Sequence, residues 1–396
     1  MADPLAKALS LPPPRGGGHE NDYRLWGNRE FLRDESRTTW IKIGLPWNDF
    51  QELSQPTSRA ASWADLNTAP RDLRWFRELD GEVKAANEDG VRVILTLADP
   101  YPPWSSGATA ADTDLSYSNS RKTGYQKVPN DLSPNGPWAW FVSHVSARYK
   151  RGAAPNPEGP HEPRASEKAS GYDPRLGNPS GAWIEAIEIC NEPNTILWPQ
   201  ADIHLRVAEM VRTAEALSFQ WGGQRILAPA TLDSPDPTDS FPAGSRTDWR
   251  VFTERLLDAL AGFAPRVPVH WSMHNYRDVA REVTRESSRV REVIDLLYAK
   301  NWKGGGDRDV YLTEAGVNMG AKSAESAARD EQAEKIYRNF YEMREQADVV
   351  LWTQHAINDA TGVTFRSALR DDFDFAGGRP GPPRPSWHAW RTLPGA

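Results

Sequence analysis

The sequence contains a single cysteine, Cys190, among its 396 residues. One thiol cannot form an intrachain disulfide, so the chain is not a small scaffold held together by disulfides. Cys190 lies in a predicted buried strand, and no activating base adjoins it in the sequence. Packing is therefore its predicted role, with a reactive thiol as the alternative.

Long apolar runs and an excess of positive charge are also missing. No run approaches the ~18 apolar residues that a membrane-spanning helix needs. The net charge of −7 argues against nucleic acid or an anionic membrane as the main partner. The first residues lack the apolar segment and cleavage site of a secretory signal. A cytoplasmic location is the expectation, and secretion stays open if the sequence is part of a longer chain.

Three motifs that would indicate a cofactor or a metal do not occur. No glycine-rich phosphate loop follows the first strand, and no His-Glu-x-x-His motif is found. His270, His274 and His355 lack the spacing of metal ligands. The sequence therefore predicts neither a cofactor nor a metal, and it leaves the oligomeric state open.

What the sequence does contain is a regular alternation of strand and helix patterns. Hydrophobic residues make up 39% and charged residues 26%, as in ordinary globular proteins. Seven strands are predicted, at 38–45, 91–97, 183–190, 225–230, 267–274, 309–313 and 348–353, with helices between them. A weaker eighth strand is placed near 23–26. The proline- and glycine-rich residues 1–20 are predicted to be disordered.

Strands separated by helices imply parallel pairing with right-handed crossovers. Eight such units close into a (β/α)8 barrel, whereas six or seven can form an open doubly wound sheet. The missing phosphate loop favours the barrel. We therefore expect one α/β domain, a (β/α)8 TIM barrel over 21–396, with insertions at roughly 105–134 and 151–181. The first insertion is expected to form a cleft wall and the second to lie on the opposite face.

Two strands end in a carboxylate. The apolar run before Asn191-Glu192-Pro193 stops at a proline, which cannot donate to a strand ladder. The run before Glu314 is followed by Gly316, where the chain must turn. Active sites of such barrels lie where the strands end. A pair of carboxylates there suits glycoside hydrolysis, in which one protonates the leaving oxygen and the other stays ionised.

Other polar and aromatic side chains follow the predicted strands, as a pocket for a hydroxyl-rich ligand requires. They are Lys42, Trp47, Asp99, Trp104, Asn191, His274, Asn275, Tyr276, Trp352, Gln354 and His355. Several alternatives stay open at this point. Trp47 and Trp104 line the cleft or pack beneath it, and Asp99 contacts a ligand or caps a loop. His274 and Tyr276 belong to the site or form a core pair, and Glu188 is read as a structural ion-pair partner, for example of Lys42.

Asn-Glu-Pro at the fourth strand, His-Asn-Tyr at the sixth, Glu at the seventh and Trp at the eighth resemble a known clan. It is the clan of retaining (β/α)8 glycoside hydrolases that includes the family 5 cellulases and mannanases and the family 39 glycosidases. The resemblance covers about residues 38–392. It implies a glycosidase that needs no cofactor and whose partner is a carbohydrate substrate.

By that resemblance, Glu192 is the acid/base and Glu314 the nucleophile. Asn191 would hold the hydroxyl next to the reacting carbon, and Tyr276 would hydrogen-bond Glu314. His274 would contact substrate or orient the acid/base. Trp352 would be the floor under the sugar, and Gln354 could reach the substrate.

The sequence departs from the clan at two strand ends. The clan usually carries an arginine at the end of the second strand, where this chain has Lys42. Lysine supplies charge without a two-pronged donor. The third strand often ends in histidine, whereas here it ends in Asp99. These departures concern the substrate, so the sugar, its linkage and endo or exo action stay open. A transglycosylase with the same residues and an inactive carbohydrate-binding barrel remain as alternatives.

Overall fold

A computed structural model describes the protein over residues 5–12, 21–51, 55–68, 70–99, 101–106, 115–117, 120–122, 127–152, 181–197, 200–234, 246–263, 270–302, 309–359, 364–374 and 380–395. Its main sheet contains eight parallel strands. They are β1 (Ala6–Leu11), β2 (Trp40–Pro46), β3 (Arg92–Ala98), β4 (Ala186–Ile189), β5 (Arg225–Leu227 and Thr231–Leu232), β6 (Trp271–His274), β7 (Val310–Ala315) and β8 (Val349–His355).

The sheet closes on itself through β5, which has two segments. The first segment, Arg225–Leu227, pairs with β4. The second, Thr231–Leu232, pairs with β6, and a further parallel bridge joins Leu227 to His270. β1 pairs with β2 on one side and with β8 on the other. Every strand therefore has two neighbours, and the predicted (β/α)8 barrel is confirmed over the open sheet.

Helices connect the strands and cover the barrel. The long ones are Pro70–Glu88, Pro137–Arg148, Ile203–Trp221, Trp249–Ala261, Arg289–Ala299 and Ser326–Arg344, with Pro385–Thr392 closing the chain. Shorter helices are Trp26–Glu30, Trp47–Phe50, Arg59–Thr68, Pro103–Ser106 and Tyr276–Ala280. A π-helical segment at Phe31–Glu35 and 3₁₀ segments at Arg285–Ser287 and Gly320–Ala324 complete the list. None of the described helices has the length and apolar character needed to cross a membrane.

The prediction that residues 1–20 are disordered was wrong for Ala6–Leu11, which form β1. The weak strand predicted near 23–26 was also wrong, because a helix begins at Trp26. Small Ala8 faces the barrel interior, while Lys7 points outward and is fully buried. The Lys7 ammonium donates to the carbonyls of Ser36, Trp390 and Leu393. These carbonyl contacts let a lysine occupy a buried strand.

The barrel interior has an apolar layer and a polar layer. The apolar layer contains Ala6, Ala8, Trp40, Ile94, Ala186, Leu227, Tyr311 and Leu351. The polar layer lies towards the strand ends and contains Lys42, Thr96, Glu188 and Thr313. Both Thr96 and Thr313 donate to the Glu188 carboxylate, at 2.7 and 2.6 Å. The polar layer supports the residues at the barrel mouth.

The two predicted insertions lie mostly outside the described residues. Within the first, a hairpin pairs Leu115–Tyr117 with Ser120–Lys122. Residues 127–134 are described as well. Of the second insertion, residues 153–180 lie outside the described part. The predicted cleft wall and surface extension therefore remain predictions.

Candidate active site

An unusual backbone path carries Glu192 into the barrel mouth. Cys190 and Glu192 both have positive φ angles, 65° and 45°. Residues with a Cβ rarely adopt this region, and such outliers concentrate at functional sites. The turn directs Cys190 outward, where its buried thiol accepts a hydrogen bond from Tyr101. Burial raises the pKa of this thiol to about 12, which agrees with a packing role.

A β-bulge in β7 carries Glu314 into the same mouth. The register of β7 shifts against β6 after Leu312 and against β8 between Leu312 and Ala315. Thr313 already faces the barrel interior, so strict alternation would direct Glu314 outward. The extra residue re-aims Glu314, as bulges beside active sites commonly do. Gly316 follows with φ 151°, and a Cβ there would lie 3.2 Å from the Gln354 amide nitrogen.

The two carboxylates face each other across His274. One oxygen of Glu192, one oxygen of Glu314 and a ring nitrogen of His274 all lie within 4.8 Å of one another. Nδ1 of His274 is 2.8 Å from Glu192 Oε1 and 3.6 Å from Glu314 Oε2. Each carboxylate side chain is 16% exposed, whereas His274 is fully buried. The carboxylates are therefore open to a ligand, and the imidazole lies beneath them.

Glu314 is held as an anion by three donors. Lys42 Nζ lies 3.0 Å from Oε1, and the Ser10 hydroxyl donates to the same oxygen at 3.2 Å. The Tyr276 hydroxyl donates to Oε2 at 2.9 Å. Burial favours the neutral acid, but the Lys42 ammonium holds the pKa of Glu314 well below its usual range. Glu314 is thus ionised at neutral pH.

Lys42 and Glu188 form a buried ion pair, as predicted for Glu188, with Nζ 3.1 Å from Oε2. Burial opposes the charge of Lys42, yet the carboxylates of Glu188 and Glu314 raise its pKa above the ordinary lysine value. Lys42 therefore carries its charge at the place where the clan usually has arginine.

Two residues of β8 that were predicted to contact the sugar point away from the site. Trp352 is fully buried between the barrel and the helices, where its indole N–H donates to Asn339 at 2.8 Å. Gln354 is also fully buried, and its amide donates to the carbonyls of His355 and Ser367. Both predictions were wrong. Leu351 lies in the apolar layer inside the barrel, so residues one step away, including Trp352, face outward.

An aromatic group from β8 and the following loop lies beside the nucleophile candidate instead. His355 lies 6.2 Å from Tyr276, between ring centroids. Phe365 packs edge-on against both rings, with centroid distances of 5.4 Å to each. Phe365 is 38% exposed, so part of its ring faces solvent. Tyr276 thus links an accessible aromatic ring to Glu314.

The sequence left two positions possible for Trp47, in the cleft wall or in the core beneath it. The structure places it in the core. It is fully buried and stacks on Phe141 at a centroid distance of 4.9 Å. Its indole N–H donates to Gln51. Trp104 is half-buried and lies edge-on to Trp47 at 5.5 Å. The expectation that Trp47 contacts the substrate was wrong, whereas a substrate contact by Trp104 stays a prediction.

Asn191 and Asp99 flank Glu192. Asn191 is half-buried, and its backbone bridges to Ala230 of β5. Asp99 ends the β3 segment and is also half-buried. Burial raises the pKa of Asp99 to about 7, a backbone N–H opposes the shift, and the charge of Glu192 adds to it. Their contacts with substrate stay predictions.

Asp99→Asn is expected to stabilise the protein at alkaline pH and not at acidic pH. The folded-state pKa of about 7 lies above the value of about 3.9 for an unfolded aspartate. Unfolding between these values releases a proton, so this group lowers stability progressively as the pH rises through that window. Asparagine removes the effect. The melting-temperature difference between variant and parent should grow from about pH 4 to about pH 7 and then level off.

The exposed Asp330 provides the control for this experiment. Asp330→Asn should show no such trend. A pH-independent difference for Asp99→Asn would contradict the raised pKa of Asp99.

Sequence reasoning missed two contributors to this site. Ser10 contacts Glu314, and it was hidden because the segment around it was assigned as disordered. The alternation of Ala6, Ala8 and Ser10 was the signal that could have identified it. Phe365 was missed because it lies in a loop without any periodic pattern.

The two carboxylates and His274 are residue types that also bind metal ions. Among the described residues, Glu192, His274 and Glu314 form the one group whose ligand atoms lie close enough to share an ion. The Lys42 ammonium lies 3.0 Å from Glu314 and 3.0 Å from His274. A second cation there would be repelled by it, and no ligand atom on Lys42 is available. Glu192, His274 and Glu314, with Lys42 beside them, therefore suit proton transfer better than metal binding.

Comparisons with known proteins give structural likeness at low sequence identity. No protein-family model and no curated protein sequence matches the chain. A hyperthermophilic β-glucosidase from Pyrococcus furiosus superposes with a TM-score of 0.55 at 12% identity, over 99% of this chain and 95% of that one.

Two further structures hold a bound sugar. Xylanase 10B from Thermotoga petrophila in complex with xylobiose has a TM-score of 0.51 at 11% identity, covering 97% of this chain and 92% of that one. ZgEngAGH5_4 in complex with a cellotriose has a TM-score of 0.51 at 10% identity, covering 99% and 97%. The resemblance to (β/α)8 glycoside hydrolases is thus confirmed at the level of the fold, which this chain shares over nearly its whole length.

Proposed function

We propose that the protein is a retaining glycoside hydrolase that cleaves a glycosidic bond in an oligo- or polysaccharide. Glu192 is the acid/base and Glu314 the nucleophile. The observation that carries this proposal is the pair of part-exposed carboxylates at the barrel mouth, with one oxygen of each within 4.8 Å of the other. The shared fold with a β-glucosidase and a xylanase agrees with it.

The separation of the carboxylates favours retention over inversion. Retaining enzymes place the two carboxyl groups about 5–5.5 Å apart, and inverting enzymes need about 6.5–9.5 Å for an intervening water. One oxygen of Glu192 lies within 4.8 Å of one oxygen of Glu314, which is below the start of the inverting range at about 6.5 Å. Direct attack by a carboxylate is the chemistry that this spacing accommodates.

The environments of the two carboxylates divide the roles. Glu314 accepts hydrogen bonds from Ser10, Lys42 and Tyr276 and is kept ionised, as a nucleophile must be. Its oxygen attacks the anomeric carbon while Glu192 gives its proton to the departing glycosidic oxygen. A covalent glycosyl ester on Glu314 and an ionised Glu192 result.

In the second step Glu192 acts as a base. It removes a proton from water, and the resulting hydroxyl attacks the anomeric carbon. The ester bond to Glu314 breaks, and its electron pair returns to the carboxylate. Two inversions leave the sugar with its original anomeric configuration.

A panel of aryl glycosides and plant and microbial polysaccharides tests the proposal. We expect release of the aryl group or of reducing ends with at least one sugar, and Glu314→Ala should abolish that release. Sugar binding without turnover in the parent protein would overturn the hydrolase proposal. Adding an alcohol or a sugar acceptor and analysing the products separates hydrolysis from transglycosylation.

We place the sugar against Phe365 rather than Trp352. Sugar rings have apolar C–H faces, which suit an accessible aromatic ring. Phe365 is part-exposed and contacts Tyr276, whose hydroxyl reaches Glu314. Trp352 is fully buried and is bonded to Asn339. On the other side of the barrel mouth we assign hydrogen bonding of the sugar to Asp99, whose carboxyl suits a pair of sugar hydroxyls.

Phe365→Ala is therefore expected to raise KM and to lower kcat/KM by about 10- to 100-fold, the worth of one buried aromatic contact. The change should be measured on the best substrate from the panel. Phe219→Ala is the matched control, because Phe219 is 91% exposed on the helix Ile203–Trp221. Equal kinetics for both variants would remove Phe365 from the sugar site.

A further inference from the structure

The Lys42 ammonium lies at the centre of three acceptors in the polar layer. Its Nζ is 3.1 Å from Glu188 Oε2, 3.0 Å from Glu314 Oε1 and 3.0 Å from His274 Nε2. The three acceptors come from β4, β7 and β6, while Lys42 itself comes from β2. A lysine ammonium has three N–H donors and no acceptor, so these contacts use its full capacity.

This arrangement determines the protonation of His274. Because Lys42 can only donate, Nε2 of His274 must accept, and the imidazole proton must be on Nδ1. Nδ1 faces Glu192 Oε1 at 2.8 Å and Glu314 Oε2 at 3.6 Å. A second proton on Nε2 would point at the ammonium 3.0 Å away, where like charges repel.

The protonation of His274 matters because imidazole is ordinarily a stronger base than a carboxylate. A free imidazole 2.8 Å from Glu192 would take the proton that a general acid must deliver to the leaving group. The product would be an imidazolium–carboxylate pair without an acid. Something must therefore keep His274 from accepting the proton of Glu192.

We propose that Lys42 prevents this proton transfer. It is a positioning residue that fixes His274 as the neutral Nδ1–H tautomer. His274 then donates to Glu192 Oε1 and cannot accept a proton from Glu192. The acid proton is kept on Oε2 until the glycosidic oxygen receives it. This inference rests on the proposed function for its consequence, although the tautomer itself follows from the contacts alone.

The charged groups around His274 all belong to this arrangement. Lys42 faces it from β2, Glu188 from β4, Glu192 from the turn after β4, and Glu314 from β7. His355 of β8 packs against Tyr276, whose ring lies 6.1 Å from the imidazole of His274, between ring centroids. Lys42 is the one cation among these partners that contacts the imidazole directly.

Nitrogen-15 NMR of the imidazole rings tests the tautomer in the parent protein, without any substrate. The sequence has eight histidines, and His274→Asn identifies the signal. We expect His274 to show a protonated Nδ1 and an unprotonated Nε2. A protonated Nε2 would overturn the proposal.

Variants of Lys42 test its part. In Lys42→Met no donor faces Nε2, so we expect part of the His274 rings to carry their proton on Nε2. We also expect kcat/KM for an aryl glycoside with a poor leaving group to fall at least about 10²-fold. Lys42→Arg, which keeps the charge and the donors, should restore the neutral Nδ1–H form. Lys84→Met is the control, since Lys84 is half-exposed on the helix Pro70–Glu88.

The two proposals fail in different ways. An unchanged His274 signal in folded Lys42→Met would refute the role of Lys42 even in an active glycosidase. If Lys42→Met does not fold, the parent spectrum decides the tautomer and Lys42→Arg decides whether charge at this position maintains it. Absence of turnover in the parent would refute the proposed function and leave the NMR result to stand by itself.

Discussion

Glu314→Ala is expected to lower kcat by at least about 10⁴-fold, because no other group can form the covalent intermediate. Alanine leaves a cavity beside Lys42, Ser10 and Tyr276, which all contact the native carboxylate. A small anion such as azide can enter it and attack the anomeric carbon. We expect azide to restore turnover of a dinitrophenyl glycoside and to give a glycosyl azide of inverted configuration.

Glu185→Ala is the matched control for that experiment. Glu185 lies directly before β4, and Glu192 lies after the same strand. The Glu185 side chain is 15% exposed, against 16% for Glu314. It pairs with Arg225 and Arg151 at the opposite end of β4 from the barrel mouth. Full activity is expected for Glu185→Ala. Retained activity in Glu314→Ala without azide would exclude Glu314 as the nucleophile.

Glu192→Gln should lower kcat/KM by about 10²- to 10⁴-fold for substrates whose leaving group needs a proton. Glutamine keeps the shape of the side chain and can still accept a hydrogen bond from His274, which contacts Oε1 in the parent. Dinitrophenyl glycosides do not need protonation, so the first step with them should be nearly unaffected. Their turnover should then stall at the glycosyl enzyme, because no base activates water.

The diagnostic contrast is between leaving groups within one variant. A burst of dinitrophenol followed by slow turnover is the expected time course for Glu192→Gln. Equal losses for good and poor leaving groups would mean that Glu192 is not the proton donor. Azide should speed the second step and give a product of retained configuration, opposite to the product from Glu314→Ala.

The barrel and the two carboxylates could be predicted because each depends on local signals. Apolar runs that end at Pro193 or Gly316 mark strand ends, and the helical periods between them give the (β/α)8 alternation. Parallel strands bring their carboxyl ends to one edge. The meeting of Glu192 and Glu314 therefore follows from topology, before any side chain is placed.

The first strand was missed because its alternation is brief and the contacts that stabilise it lie far away in the sequence. Ala6–Leu11 is short and contains a lysine, and a proline-rich stretch follows it. Its stability comes from pairing with β8 and from the carbonyls of Trp390 and Leu393, which receive the Lys7 ammonium. No window of sequence around residue 7 contains those partners.

The orientation of β8 was missed for a different reason. Val349–His355 is apolar for its first four residues, so alternation does not identify the inner face. The pairing of Ser10 with His355 sets that face, and it brings His355 inward and Trp352 outward. The bulge in β7 is similar, since a single extra residue re-aims Glu314 without any mark in the sequence.

The most direct test of the central claim is to trap the intermediate. A 2-deoxy-2-fluoro glycoside with a dinitrophenyl leaving group reacts in the first step and is slow in the second, so the glycosyl enzyme accumulates. Mass spectrometry of the intact protein and of its peptides should find one sugar bound to the peptide that contains Glu314. An adduct on the Glu192 peptide would contradict this account, as would product of inverted configuration without any adduct.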